Sequence, residues 1–327
     1  MKSQLLLKAF TVVVFMLGFS FWSEGATVYV ANQGIDKIQV VDTEAKKVVK
    51  EIEVTKTPHN LMFSPDKKLL FVASVGSGDI TIIEVGSGKI TGKVPTDARA
   101  HGIALSPDGK ELYSVNVGAD NVSVIDLSQK KVVHNIGVGK APAVATFSKD
   151  GKKAYVSIGG DQGIAVVDTQ KRWVIENIRL PKGSDADPKL TAGAMGVARS
   201  GDGRHILVAN GFANSVSIID TSKDAIVKTV PTGKETHDVI ISRDGKLAYA
   251  TNRLDHTISV IDLRGRKLLY NIKVAQKPDI IDVSPDGKWA FVTSREEKAL
   301  LVVDLANRKQ VDTIALGGDP HGVAFLK

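Results

Sequence analysis

One short stretch of the chain decides the fold: residues 102–126 read GIALSPDGKELYSVNVGADNVSVID. Three runs within it alternate apolar or β-branched residues with polar ones, which is the pattern of half-buried strands. The runs are separated by Ser-Pro-Asp-Gly and Gly-Ala-Asp-Asn, and such clusters form tight turns because Pro fixes φ and Gly accepts positive φ. The stretch therefore predicts three antiparallel strands, followed by a fourth, outer strand over residues 130–136.

The same unit recurs along the chain at a nearly constant spacing. A Ser-x-Asp turn begins at Ser64, Ser106, Ser148, Ser200, Ser242 and Ser284, with steps of 42, 42, 52, 42 and 42 residues. An acidic residue that ends the third strand keeps the same steps, at Asp42, Glu84, Asp126, Asp168, Asp220, Asp262 and Asp304. Four strands in a repeat of about 40 residues predict the blades of a β-propeller.

The two ends of the repeat region complete one blade between them. Residues 27–30 already read as the second strand of a blade, whereas residues 322–326 read as an inner strand without successors. Six complete units and this shared one predict an all-β, seven-bladed β-propeller of four-stranded blades. We expect the C-terminal strand to close the ring by completing the first blade, which removes exposed sheet edges. The propeller is expected to occupy residues 26–327.

The first 25 residues are predicted to be a secretory signal peptide. Positive charges at Lys2 and Lys8 precede an uncharged apolar run over residues 9–22, and the small residues around Glu24 suit cleavage after residue 25. The run is short for a membrane span of about 20 residues, although an uncleaved anchor is the alternative. We therefore expect a periplasmic or secreted protein with no membrane span after cleavage.

Composition narrows the classes of function. The 327 residues include no Cys, which excludes disulfides, thiolate catalysis and covalent haem attachment. The formal net charge is +7, with Lys and Arg spread through all the repeats, so nucleic-acid binding is kept only as an alternative. The sequence has no nucleophile elbow, phosphate loop or zinc-protease motif, and it indicates no catalytic residue.

A ring of His residues is expected at one mouth of the channel. The position five residues before each Ser-x-Asp Ser starts an inner strand, and inner strands surround the axis; we call it the ring position. Imidazole binds copper, zinc, nickel and iron, and thioether favours cuprous copper. If the ring binds a cofactor, we expect a transition metal such as copper. Around the seven blades the ring position holds His321, His59, His101, Ala143, Met195, His237 and Asp279, and we take all but Ala143 as candidate metal ligands.

Four further residues are expected at the same mouth. The 52-residue step places ten extra residues within residues 180–192, in a loop that leads to the next inner strand. Insertions confined to one face of a repeat ring often mark the binding face. Asp185 and Asp187 of this loop, with Arg253 and His256 from a turn between second and third strands, are the predicted ligand-mouth residues. A polar channel lining copied by duplication is the alternative for the His ring.

Several motifs resemble the YVTN-type propeller repeat proteins. They are the Tyr-Val-Ala-Asn of residues 29–32, the Tyr-Ala-Thr-Asn of residues 249–252, and the repeated Ser-Pro-Asp-Gly turns and Val-Ser-Val-Ile-Asp strands. The resemblance covers residues 27–327 and implies a seven-bladed propeller of the kind seen in secreted bacterial and archaeal proteins. It implies no single activity, because this fold carries many functions. The ring itself is similar to the multi-histidine copper site on the axis of nitrous oxide reductase propellers, although only four His are present here.

Four functions are compatible with these features. The leading hypothesis is an exported, periplasmic binding or accessory propeller that recognises a small ligand or a periplasmic protein partner at the His-lined mouth. The first alternative is a copper-type metal-binding or redox-associated propeller. The second is a lactonase-like hydrolase, for which Asp279 is the one carboxylate in the ring. The third is a nucleic-acid binder.

Overall fold

The computed structural model describes residues 26–182 and 193–326. The predicted signal peptide and the two carboxylates Asp185 and Asp187 lie outside the described residues. Within these ranges no helix is long and apolar enough to cross a membrane.

The strands of the described ranges are, in chain order, β1 (Thr27–Asn32), β2 (Lys37–Asp42), β3 (Lys47–Glu53), β4 (Pro58–Phe63), β5 (Leu69–Ser74), β6 (Asp79–Glu84), β7 (Ile90–Pro95), β8 (Ala100–Leu105), β9 (Glu111–Asn116), β10 (Asn121–Asp126), β11 (Lys131–Gly137), β12 (Pro142–Phe147), β13 (Lys153–Ile158), β14 (Gly163–Asp168), β15 (Trp173–Arg179), β16 (Ala194–Arg199), β17 (His205–Asn210), β18 (Ser215–Asp220), β19 (Ala225–Pro231), β20 (Thr236–Ile241), β21 (Leu247–Asn252), β22 (Thr257–Asp262), β23 (Lys267–Lys273), β24 (Pro278–Val283), β25 (Trp289–Ser294), β26 (Ala299–Asp304), β27 (Lys309–Ala315) and β28 (Pro320–Phe325).

These strands form seven antiparallel sheets of four strands, which we number as blades. Blade 1 has the order β28-β1-β2-β3, and blades 2 to 7 follow in chain order from β4-β5-β6-β7 to β24-β25-β26-β27. Each inner strand contacts the inner strands of both neighbouring blades, and the series returns from β28 to β4. The predicted all-β, seven-bladed propeller is therefore confirmed.

Ring closure takes place in blade 1, as the sequence predicts. Strand β28 pairs with β1 in an antiparallel register that sets Phe325 opposite Val28 and Val323 opposite Val30. The ring of Phe325 also stacks on that of Phe291 in blade 7, with centroids 5.5 Å apart. The C-terminal strand thus joins the two ends of the chain and packs against the preceding blade.

The repeated Ser-x-Asp motif stabilises the turn after the inner strand in each of blades 2 to 7. In blade 3, Ser106 Oγ donates a hydrogen bond to Asp108 Oδ1 at 2.7 Å and accepts one from the amide of Glu111 at 2.9 Å. Asp108 Oδ1 also accepts a bond from the amide of Lys110. Because these side chains satisfy backbone donors that no strand pairs, the motif has a structural reason to recur in these six blades.

Candidate functional site

A β-bulge shapes each inner strand at the ring position, which is the strand's second residue. In blade 2, Pro58 pairs with Ser74 and Asn60 pairs with Ala73, so that His59 has no partner in the ladder. The same irregularity interrupts inner-strand pairing in every blade. A bulge bends its strand and redirects the side chain of the extra residue. In this propeller the bulges lie where the ring-position side chains of different blades meet.

Four imidazole rings converge at the axis. The ring of His59 lies between those of His101 and His321, with centroid separations of 3.9 and 3.7 Å. His237 approaches from the other side, with its centroid 6.3 Å from that of His321. His59, His237 and His321 are buried, and His101 is half-buried. The side chains therefore fill the axis at this level instead of lining a wide channel.

Asp279 completes the cluster from the adjacent inner strand, β24. Its Oδ1 lies 2.9 Å from His237 Nε2, and its Oδ2 lies 3.8 Å from His321 Nε2. One ligand atom from each of these three residues can be chosen so that all lie within 4.8 Å of one another. Asp279 is 1% exposed, yet among the described residues no donor is oriented to hydrogen-bond either carboxylate oxygen.

Hydrogen bonds to the backbone fix the tautomers of two rings. His321 Nδ1 lies 3.1 Å from the carbonyl oxygen of His59, and His101 Nδ1 lies 2.9 Å from that of Ala143. A carbonyl oxygen can only accept, so Nδ1 carries the hydrogen and donates it in each pair. The Nε2 atom of each neutral ring is then left with a free lone pair.

Gly322 permits the close approach of strands that the hydrogen bond from His321 Nδ1 to the carbonyl of His59 requires. A Cβ atom on Gly322 would lie 2.5 Å from the carbonyl oxygen of His59. The missing side chain lets strands β28 and β4 come together at the ring position, which brings His321 Nδ1 within reach of that oxygen.

Burial favours the neutral form of three of the four imidazoles, whereas Asp279 favours its ionised form. Burial lowers the pKa of His101 to about 4 and that of His321 to about 3. Burial and the neighbouring His101 and His321 also hold the pKa of His59 well below its ordinary value. Burial opposes ionisation of Asp279, but the close approach of His237, His321 and Arg253 outweighs it and holds the pKa of Asp279 below its usual range. These protonation states are the ones in which the side chains bind metal ions.

Two arginines at equivalent positions of consecutive blades border the cluster. Arg253 lies with Nε 3.6 Å from Asp279 Oδ1 and Nη1 3.5 Å from Glu235 Oε1. Arg295 forms a two-pronged ion pair with Asp319, with both N–O distances at 2.6 Å. The structure thus places the predicted mouth residue Arg253 beside Asp279. Our sequence reasoning missed Glu235, Arg295 and Asp319, although the 42-residue step from Arg253 to Arg295 was a signal for one of them.

The other predicted residues lie in the same part of the molecule without joining the cluster. His256 Nδ1 accepts a hydrogen bond from the amide of Lys277 at 3.1 Å, just before the strand that carries Asp279. In another blade Asp120 Oδ1 accepts the equivalent hydrogen bond from a backbone amide. His256 therefore supports a loop in the same way, a contact that the sequence did not reveal. Met195 occupies the ring position of β16 and is half-buried.

Comparisons with known proteins agree with the fold. A family model described as a lactonase, 7-bladed beta-propeller, matches residues 20–96 and 91–266, and a model described as a YNCE-like beta-propeller matches residues 251–327. No curated protein matches the chain.

Three solved structures illustrate the similarity. Kuenenia stuttgartiensis hydrazine synthase has a TM-score of 0.71 and 22% identity, covering 81% of this chain and 88% of that chain. A functionally unknown protein from Desulfotomaculum acetoxidans has a TM-score of 0.77 and 14% identity, covering 93% and 99%. Dihydro-heme d1 dehydrogenase in complex with DHE has a TM-score of 0.66 and 16% identity, covering 92% and 75%.

At these identities the solved structures support the fold alone. The lactonase-type model, by contrast, matches most of the sequence in two overlapping segments. The seven-bladed propeller implied by the YVTN-type motifs is thereby confirmed, and the chain belongs to the seven-bladed β-propeller lactonase family.

Proposed function

We propose that the protein is an exported binding propeller that holds one transition-metal ion among His237, Asp279 and His321 and uses it to bind a ligand at the channel mouth. The observation that carries the proposal is the state of Asp279. Its carboxylate is buried beside the rings of His237 and His321, and His237 Nε2 lies 2.9 Å from Oδ1, yet among the described residues no donor is aligned to hydrogen-bond either oxygen.

Such a carboxylate needs a counterpart. A buried ion without hydrogen bonds is strongly destabilising, and each such group in a native protein calls for an explanation, a bound ion among them. The tautomer of His321 adds a second acceptor at this place, because its Nε2 carries a lone pair and no hydrogen. This atom lies 3.8 Å from Asp279 Oδ2, which is also an acceptor. A cation between these atoms makes ligands of both.

The donor set suggests which ion to test first. Two imidazole nitrogens and one carboxylate leave coordination positions open for water or a ligand, and they suit iron, nickel, copper and zinc. Copper(II) forms the tightest complexes of the series with nitrogen-rich sites, so copper is the first ion to test and zinc the second. The hydrogen bond from His321 Nδ1 to a backbone carbonyl is the usual outer support of a metal-binding His.

The competing explanation is an ion-pair network in which Arg253 and a protonated His237 neutralise Asp279. Arg253 contacts the carboxylate at 3.6 Å, but its Nε makes no hydrogen bond with the described residues. His237 Nδ1 likewise lacks a described partner. These donors lack partners in either arrangement, but only a cation also uses the lone pair that the tautomer of His321 leaves on Nε2, and we therefore favour the metal.

Metal content tests the proposal. The mature protein, purified with a tag that contains no His, is loaded with copper or zinc, desalted and measured by mass spectrometry for metal per chain. We expect close to one equivalent, lost in the His237→Ala/His321→Ala double variant and retained in the His134→Ala control, whose side chain lies on an outer strand. A folded wild-type protein that retains neither metal would refute the proposal and leave recognition of a protein partner or small ligand by the polar mouth.

Export is part of the same proposal, supported by the charge and apolar run of residues 1–25. Expression of the full-length gene in a bacterium, followed by fractionation and intact-mass measurement, tests it. We expect a periplasmic protein that begins at residue 26. A cytoplasmic protein of full mass would contradict export.

Lactone hydrolysis is a second candidate function, favoured by the family match. A bound metal ion would supply Lewis-acid chemistry at the mouth. Arg253, 3.6 Å from Asp279, would then stabilise negative charge that develops on the lactone oxygen, and Glu235 would hold the arginine in place. Hydrolysis of a lactone panel that falls with Arg253→Met but not with Arg172→Met would support this candidate, and no hydrolysis by the metal-loaded protein would exclude it.

A further inference from the structure

A second charged feature lies at the opposite end of the inner strands from the His cluster. There, between blades 5 and 6, the Ser-x-Asp turns and the turns before the outer strands enclose a groove of about 650 Å³. We call it the basic groove and define it by the basic side chains that line it, which are Arg204, His205, Arg243, Lys246, Arg264 and Arg266.

At two other blade boundaries the same location is occupied by an ion pair. The residue that begins the second strand of one blade meets the residue just before the outer strand of the next. Between blades 3 and 4 these are Glu111 and Arg172, with an N–O distance of 2.8 Å. Between blades 4 and 5 they are Lys153 and Asp224, at 2.5 Å.

Between blades 5 and 6 the pattern is broken. The two positions hold His205 and Arg266, whose Nε2 and Nη2 atoms lie 3.4 Å apart. No carboxylate takes part in this pair. The basic groove therefore has a guanidinium without a described carboxylate partner at the location where an ion pair forms between blades 3 and 4 and between blades 4 and 5.

The carboxylates that do line the basic groove are already engaged. Asp202 and Asp244 belong to the Ser-x-Asp turns and accept hydrogen bonds from Ser200 and Ser242 and from backbone amides. They also lie near the exposed Arg204 and Lys246. Among the described residues, Arg243, Arg264 and Arg266 have no carboxylate within 4.0 Å.

The groove between blades 3 and 4 provides an internal comparison. It has a similar volume of about 620 Å³, but Arg172 there faces three lining carboxylates, those of Asp108, Glu111 and Asp150. The basic groove therefore has more cationic side chains and fewer lining carboxylates than the groove between blades 3 and 4.

We propose that the basic groove binds a compact, multivalent oxyanion of the phosphate or sulfate class. Arginine suits this role because its planar guanidinium donates paired hydrogen bonds to tetrahedral oxyanions. The volume of the groove fits a small ligand. The site is separate from the His cluster, since the two lie at opposite ends of the inner strands.

Calorimetric titration with two probes tests the proposal and separates the two sources of oxyanion. The probes are inorganic tripolyphosphate and sucrose octasulfate, added to the mature protein in low-salt buffer. We expect saturable one-to-one binding of at least one probe, and the tighter probe identifies the class. The Arg243→Ser/Arg266→Ser variant should bind it about tenfold more weakly or worse, as loss of charge-assisted hydrogen bonds predicts.

The control variant removes two arginines that lie outside the basic groove, at positions equivalent to that of Arg266. Arg172 and Arg308 each directly precede an outer strand, as Arg266 does, so Arg172→Ser/Arg308→Ser should leave binding unchanged. No saturable binding of either probe, or an equal loss in the control variant, would overturn the proposal. A single-stranded oligonucleotide that binds and is not displaced by tripolyphosphate would favour nucleic acid instead.

Discussion

His321 donates its Nδ1 hydrogen to the backbone carbonyl of His59 across the boundary between two blades, at 3.1 Å. The bond leaves the Nε2 lone pair of His321 beside Asp279, at 3.8 Å from Oδ2. Closure of the ring and preparation of the candidate metal site thus depend on the same strand, because β28 both completes blade 1 and carries His321. Four predictions follow from this arrangement and from the repeat around it.

Replacement of the buried carboxylate should abolish the response of stability to metal. Saturating copper at about 100 times its dissociation constant should stabilise the wild-type protein by about 2.7 kcal/mol. We expect Asp279→Asn to remove this gain, while the metal-free variant stays at least as stable as the metal-free wild type because a buried charge is gone. Thermal unfolding with copper and with a chelator measures both.

A half-buried carboxylate on the same strand serves as control. Asp282 accepts hydrogen bonds from the amides of Phe325 and Val283 and lies outside the His cluster. Asp282→Asn should lower stability but keep the response to copper. A copper response that survives Asp279→Asn would remove Asp279 from the ligand set.

The close approach at Gly322 should be sensitive to one added methyl group. A Cβ there lies 2.5 Å from the carbonyl oxygen of His59, so Gly322→Ala must push two inner strands apart. We expect a loss of about 1–3 kcal/mol in the free energy of unfolding, typical of overpacking, together with weaker metal binding. Gly137→Ala is the control, since a Cβ there meets nothing within 4 Å. Equal losses for both variants in urea titrations would show that the approach is not tight.

The ring-closing strand β28 should contribute more to the free energy of unfolding than its position at the end of the chain suggests. Phe325 is buried and stacks on Phe291, and Phe325→Ala should therefore cost about 3–5 kcal/mol. Val311→Ala on outer strand β27, where the side chain is 42% exposed, should change little. A Phe325→Ala cost of the same small size, measured by urea unfolding, would mean that β28 closes the ring only weakly.

Acid should destabilise the propeller through its turns. Hydrogen bonds from Ser106 and Ser148 and from backbone amides lower the pKa values of Asp108 and Asp150 below the ordinary 3.8. Since the folded-state pKa values are the lower ones, these carboxylates contribute stability above pH 3.8, and the contribution is lost as pH falls through the folded-state values.

The turn contribution is measurable by comparing two proteins. Asp108→Asn/Asp150→Asn should be less stable than wild type at pH 6, and the gap should narrow as pH falls from 5 to about 2. Urea unfolding at each pH provides the free energies. A gap that stays constant across this range would show that charge at the turns does not contribute.

The sequence predicted the architecture because each part of the repeat has a local physical cause. The Ser-x-Asp turns and the alternation in strands such as β10 are visible in every unit, and the incomplete units at Thr27 and Phe325 revealed how the ring closes. The ring position could also be read from the sequence, because it recurs at a fixed distance from each turn.

The details of the site could not be read in the same way. The close packing of imidazoles, such as the 3.7 Å separation of the His59 and His321 rings, depends on the bulges in the inner strands. No residue pattern in the sequence predicted these bulges. The contact of His256 with the amide of Lys277 and the ion pair of Arg295 with Asp319 depend on how turns from different blades meet. The unbalanced charge at Arg266 becomes apparent only when equivalent positions in neighbouring blades are compared.

The most direct test of the account locates the metal itself. Crystals of the copper-loaded mature protein, with diffraction data collected on both sides of the copper absorption edge, give an anomalous difference map. We predict one strong peak within bonding distance of His237 Nε2, His321 Nε2 and an oxygen of Asp279, and no such peak in Asp279→Asn crystals. The absence of a peak at these three side chains in the wild-type crystals, or a peak only elsewhere, would contradict the claim that this propeller holds a metal on its axis.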